Sequence, residues 1–190
     1  INIRICMECF VEGDLPSECK RWQVETKQIL EEFEAYNPNV KFKFVNPSEE
    51  KGAIESLMKF GAKPAQIEIQ QNGKTSIQQV FPWAIASFNG DYIKISLLKN
   101  QLGVSSEERI NNSVQNLEYA FADGFNQLIQ PKKRKIAVLK GNGELEDKYV
   151  ADFFATLRDY YYIAAFTLDS VAEKPKKTLT QIKQFDLLII

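Results

Sequence analysis

Histidine is absent from the 190 residues, which removes both the usual general base near neutral pH and the commonest metal ligand. Only three cysteines are present, Cys6, Cys9 and Cys19. That number leaves one over in any disulfide scheme and falls one short of a four-thiolate zinc site. Neither sign of charge is in excess, with 24 Lys plus Arg against 25 Asp plus Glu. A global basic field of the kind that captures nucleic acid is therefore missing, and no nucleic-acid partner is expected. Also lacking are an apolar run of about 18 residues, which a membrane-spanning helix needs, and a secretory leader. What is present is a hydrophobic content of 44% with 12% aromatic residues, enough to bury a sizeable core and inconsistent with disorder.

The stretch 11–47 organises the chain. Leu15, Cys19, Trp22, Ile29, Leu30, Phe33 and Tyr36 recur at three- and four-residue spacing, with Glu, Lys and Gln on the other face. This pattern predicts an amphipathic helix that needs a sheet to cover. Burial of each large side chain contributes roughly 1.5 to 3 kcal/mol, more than helix propensity supplies. Asp14 is the expected N-cap, with Pro16 in the first turn, and Asn37-Pro38 ends the helix. Strands are expected before it at 1–10 and after it at 40–45, giving a βαβ unit whose strands run parallel. Ser48 is expected to cap a short helix reaching Phe60, with Gly61 ending it.

Beyond that helix, 65–70 alternates and Asn72-Gly73 signals a hairpin returning through Phe81. Pro82 interrupts the pairing before 83–88, and a second Asn-Gly turn at Asn89-Gly90 leads to a strand at 92–98. Ser105 with Glu108 forms a capping box for one long helix, 105–130, carrying Ile110, Val114, Leu117, Phe121, Phe125 and Leu128 inward. The resulting order, β-α-β-α-β-β-β-α over residues 1–130, is thioredoxin-like. In such folds the third strand is commonly preceded by a cis-proline, so a cis bond is expected between Lys63 and Pro64.

The basic, proline-led run Pro131-Lys132-Lys133-Arg134-Lys135 is the expected domain boundary. After it come a short strand at 136–139, a helix at 145–160, and strands at 163–168 and 185–190 with a short helix between them. Residues 131–190 thus read as the first part of a doubly wound parallel α/β domain, Rossmann-like or glutamine-amidotransferase-like. Because the chain stops inside an apolar run, it is expected to be a piece of a longer protein.

Four patterns invite a chemical reading. Cys6-Met7-Glu8-Cys9 is a CxxC, which in a thioredoxin-like chain raises thiol–disulfide exchange. Both cysteines, however, fall within a strand. At about 3.3 Å per residue their Cα atoms would lie about 10 Å apart on opposite faces, against the roughly 4.4–6.8 Å that a disulfide spans. Strand packing is the expected role. Gly141, Asn142, Gly143 and Glu144 lie between a strand and a helix, where backbone N–H groups could cradle phosphate. The third glycine of the dinucleotide pattern would fall at Glu146, however, and acidic residues crowd the turn, so a plain βα turn is favoured. Phe81, Pro82 and Trp83 are either an aromatic anchor for a partner or a core corner at a strand bulge. Tyr160 to Tyr162 are expected to pack. No catalytic, cofactor-binding or metal-binding residue is assigned.

Taken together, the stretch VEGDLPSECKRWQVETKQILEEFEAYNPNVKFKFVNP at 11–47, VFPWAIASFNGDYIKISLLKN at 80–100, SSEERINNSVQNLEYAFADGF from Ser105 and KIAVLKGNGELEDKYVADFF from Lys135 resemble the GldG family. These are gliding-motility-associated auxiliary components of bacterial ABC transporters. The resemblance implies a non-enzymatic module on the periplasmic face of the inner membrane, anchored by segments outside these residues. It further implies partnership with a separate permease and ATPase, in substrate binding or complex assembly, with an unidentified small ligand. The alternative is an enzyme: a thiol oxidoreductase using Cys6 and Cys9, or a nucleotide-binding enzyme using the Gly141 loop.

Overall fold

The computed structural model describes residues 4–13, 15–71, 74–101, 103–130, 132, 134–141, 143–168 and 174–190; for 17–18, 69–71 and 74 only the backbone is considered. The chain is of mixed α/β class and divides into two compact units, residues 1–129 and 130–190.

In the first unit, strand β1 (Ile5–Cys9) is followed by helix α1 (Ser17–Tyr36) and strand β2 (Val40–Phe44), and β1 and β2 run parallel. The helix starts later than the sequence suggests. The Pro16 carbonyl accepts from Cys19 N–H at 2.9 Å and Lys20 N–H at 3.1 Å, so Pro16 occupies the cap position. The expected cap, Asp14, lies outside the described residues. Helix α2 is likewise shorter than expected, Ala53–Lys59. The Asn46 side chain accepts from Ser48 N–H at 3.0 Å and its carbonyl from Glu50 N–H at 3.0 Å, so local turns hold the chain where Ser48 was expected to open a helix.

Next come β3 (Ala65–Gln71), β4 (Lys74–Val80), β5 (Trp83–Phe88) and β6 (Asp91–Ser96). They do not form one meander. The main sheet has the order β2-β1-β5-β6, and β3 with β4 forms a separate two-stranded sheet. Pro82 is the reason for the split. It has no N–H to continue a ladder. Its carbonyl accepts from Leu97 N–H and the Trp83 carbonyl from Phe10 N–H, at 2.9 and 3.0 Å, which commits the chain after Pro82 to β1 and β6. The β5–β6 turn has φ of 52° at Asn89 and 90° at Gly90, the two left-handed positions of a tight hairpin turn. The peptide before Pro64 is trans, contrary to the expectation above; the described residues contain no cis bond.

The expected helix 105–130 is two helices, α3 (Ser106–Val114) and α4 (Leu117–Ile129). Ser105 does cap the first, its Oγ accepting from Glu108 N–H at 3.1 Å. The break follows buried Ser113, whose hydroxyl donates to the Arg109 carbonyl and accepts from Lys99 N–H. Tying the last turn of α3 to the segment after β6 turns the chain at Gln115-Asn116. The unit-one order is thus β-α-β-α-β-β-β-β-α-α.

One face of the main sheet is covered by α1, α3 and α4. There Ile5, Met7 and Cys9 pack with Trp22, Leu30, Leu117 and Phe121, and Ala84 and Ala86 of β5 join the same core. The opposite face carries a smaller cluster, Phe10, Val45, Ala53, Leu57, Ala62 and Ile85, so α2 covers only one end of it.

The second unit comprises β7 (Lys135–Lys140), α5 (Asp147–Tyr160), β8 (Tyr162–Thr167), α6 (Pro175–Ile182) and β9 (Leu187–Ile189). Its sheet is parallel throughout, in the order β8-β7-β9. Ile136, Ala137 and Val138 of the central strand are buried. The Asp186 carboxylate accepts from Lys135 N–H at 2.7 Å, pinning the start of β7.

Candidate functional site

The half-covered face of the first unit's sheet is where a site can form. Because side chains alternate across a strand, the residues of β1 that turn away from the main core are Cys6 and Glu8, both exposed, while Ile5, Met7 and Cys9 are buried. Register then builds the rows. Cys6 stands opposite Lys41 of β2 and Ser87 of β5, and Ser87 opposite Tyr92 of β6. Glu8 stands opposite Lys43 and Ile85, and Ile85 opposite Lys94. Helix α2 adds Ser56, Leu57 and Phe60 as a wall. All of these row and wall residues except Lys94 line a groove of about 510 Å³, within the range of small-ligand sites.

Its floor is mostly apolar and its rim is charged. Lys43 Nζ lies 2.8 Å from Glu8 Oε1, and hydrogen bonding to Glu8 holds the Lys43 ammonium above its ordinary pKa. Lys41 Nζ lies 2.5 Å from Glu34 Oε1. At the far wall the Phe60 and Tyr92 rings approach with centroids 5.7 Å apart. Lys94 donates to the Gly61 carbonyl at 2.9 Å and sits 4.6 Å from the Trp83 ring centroid. Such a groove can hold a ligand with an apolar body against Leu57, Phe60 and Ile85 and polar groups at the lysine rim. Cys6 presents its sulfur to the groove, whereas Cys9 points into the opposite core, where burial pushes its thiol pKa well above the usual range. Cys6 and Cys9 form no disulfide. No cluster of three acidic, cysteine or histidine side chains that could hold a metal occurs among the described residues.

The residues marked in the sequence as a candidate partner or ligand surface lie elsewhere. Phe81 and Trp83 are half-buried and Pro82 is buried. Phe81 and Trp83 pack on the smaller cluster, and the Trp83 indole N–H donates to the Lys63 carbonyl at 2.7 Å. Gly141 and Gly143 are exposed and Glu144 is half-buried, at the carboxyl end of β7; Asn142 lies outside the described residues. These two groups fall in different units. Of the groove residues, Cys6 stood out in the sequence only as half of a CxxC pair, and Glu8, Lys41, Lys43 and Tyr92 were not selected by sequence reasoning as site residues. A partial signal exists in the alternation of Lys41 and Lys43 with Val40, Phe42 and Phe44, but the pairing that joins β1 to β5 has no local trace.

The fold class that emerges is α/β. Residues 2–87, from β1 through most of β5, match a family model described as a domain of unknown function, DUF7088. The match takes in most of the groove but under half of the chain, stopping short of Tyr92. No curated protein matches the chain, and no solved structure does. No described helix is long and apolar enough to cross a membrane.

Proposed function

We propose that the chain is a non-enzymatic module of a membrane-anchored ABC transporter auxiliary subunit of the gliding-motility-associated type, acting on the periplasmic side in ligand binding or complex assembly. The observation that carries a binding role is the open groove: a mostly apolar floor, a charged rim and a sheet face left half-covered by its own chain. The GldG-like sequence pattern supplies the transporter context. In this reading the first unit is thioredoxin-like, supported by the order β2-β1-β5-β6 with its parallel crossover and closing antiparallel hairpin. The second unit is the opening of a Rossmann-like or glutamine-amidotransferase-like domain, supported by the parallel order β8-β7-β9. The partners are a permease and an ATPase of the same transporter, with membrane attachment through segments outside these residues.

The test is to tag the full-length parent, solubilise its membranes gently and identify what copurifies. Permease and ATPase in fixed proportion are the expected result. Recovery of the protein alone, under conditions that keep other membrane complexes intact, would end the auxiliary-subunit reading.

A thiol-dependent reading draws on one observation, the exposed Cys6 in the groove. Its would-be partner, Cys9, is turned into the opposite core. Cys6→Ser is expected to leave transporter assembly and function unchanged; their loss in a variant of unaltered fold would bring the thiol reading forward.

A further inference from the structure

The β3–β4 hairpin stands apart from the main sheet as a two-stranded ribbon. Its base is anchored, with Ile67 and Val80 buried in the main core. From Thr75 to Gln79, by contrast, every side chain of β4 is exposed on both faces of the ribbon, Ile77 at 61%. Helix α3 lies against β3, whereas β4 pairs only with β3 among the described residues. A strand of this kind presents a row of unused N–H and C=O groups. Natural edges are usually blunted by a central charge, a proline or a bulge. This edge has none of these between Lys74 and Val80.

The hydrogen-bonding phase of that edge follows from the hairpin. Gln71 is paired with Lys74, and Asn72 and Gly73 between them lie outside the described residues; a pair only three positions apart can bridge only by exchanging its own hydrogen bonds, and the alternation of an antiparallel ladder then turns the N–H and C=O of Thr75, Ile77 and Gln79 outward. We propose that this edge is a self-association surface: β4 of one copy pairs antiparallel with β4 of a second copy about a two-fold axis at Ile77. A second copy as occupant is supported by the strand's composition, which is uncharged from Thr75 to Gln79 with exposed Ile77 at its centre. Centred on Ile77, the outward-bonding residues meet each other, Ile77 with Ile77 and Thr75 with Gln79. Ser76 faces Gln78, and Lys74 faces Val80. No like charges are opposed, the one large exposed apolar side chain of the strand meets its own copy, and the two ribbons become one four-stranded antiparallel sheet.

The experiment uses the 190-residue chain. Sedimentation velocity across a wide concentration range is combined with hydrogen exchange of individual β4 amides. The mass is expected to double with concentration while the amides of Thr75, Ile77 and Gln79 become protected; those of Ser76 and Gln78, already bonded to β3, do not change. Ile77→Lys places like charges at the axis and is expected to restore the monomer with an unaltered circular dichroism spectrum. Thr75→Pro, which removes an outward N–H that β3 does not use, is expected to weaken the dimer without adding charge. A monomer at all concentrations with fast-exchanging Thr75, Ile77 and Gln79 amides would overturn the proposal. So would a dimer that survives both substitutions with those amides still fast, since its interface would then lie elsewhere.

Discussion

Trp22 shows how a single residue can be both indispensable and imperfect. It is among the largest side chains removed entirely from solvent, and its indole N–H has no hydrogen-bond partner among the described residues. Truncation to Ala should cost about 3–5 kcal/mol through lost burial and a cavity. Trp22→Phe should cost less than about 2 kcal/mol, because deleting a buried, unpaired donor recovers about 1–3 kcal/mol against the lost volume. Denaturant titration of the two variants measures the contrast. The cysteines make a second residue-scale case. Only Cys6 is exposed, with Cys9 and Cys19 buried, so a thiol reagent should label one site per native chain and three after unfolding. Burial raises the Cys9 pKa above its ordinary value of 9.0, so above that pH the unfolded chain releases a proton that the native chain keeps. Stability should therefore be fully present below pH 9.0 and fall as pH rises beyond it, by up to about 1.4 kcal/mol per unit. Cys9→Ala should remove that slope. The alternation that separates Cys6 from Cys9 was legible in the sequence because strand periodicity is local.

At the scale of elements, α4 packs closely on β6 at Gly124. A Cβ added at Gly124 would stand 2.5 Å from Cδ1 and 2.6 Å from Cγ1 of Ile95. Gly124→Ala gains up to about 1 kcal/mol in helix propensity, but the overpacking should cost about 1–3 kcal/mol and win. Ile95→Ala, destabilising by itself, should lose part of its cost in the Gly124→Ala background. A double-mutant cycle should find a coupling of about 1 kcal/mol or more. Helix types and apolar stripes were readable from the residues, since three- and four-residue spacing reports one face. Helix ends were less so. Pro16 rather than Asp14 precedes α1, local turns delay α2, and Ser113 breaks what periodicity alone runs together as one helix. Each of those outcomes depends on a specific hydrogen bond rather than on a repeating pattern.

For the whole molecule, both hydrophobic clusters lie inside the first unit. A fragment of residues 1–130 should therefore fold and unfold cooperatively alone, as circular dichroism and heat denaturation can measure. In the second unit, full burial among the described residues is confined to Ile136, Ala137 and Val138, while Tyr149, Phe153, Leu179 and Leu187 are exposed. Residues 130–190 in isolation should bind a hydrophobic dye and melt without a sharp transition.

The sequence by itself determined the α/β class, the amphipathic face of α1, the Asn89-Gly90 turn and the Ser105 cap, because each is written within a few neighbouring residues by sterics and short-range hydrogen bonds. Only the tertiary structure decided that β1 lies between β2 and β5, that β3 and β4 leave the main sheet, and that a groove remains over Cys6 and Glu8. Those results rest on contacts such as the Ser87 hydroxyl donating to the Cys6 carbonyl at 3.2 Å across 81 residues of chain. Such contacts depend on which strand edges and side-chain volumes fit together in space, and no local spacing encodes that fit.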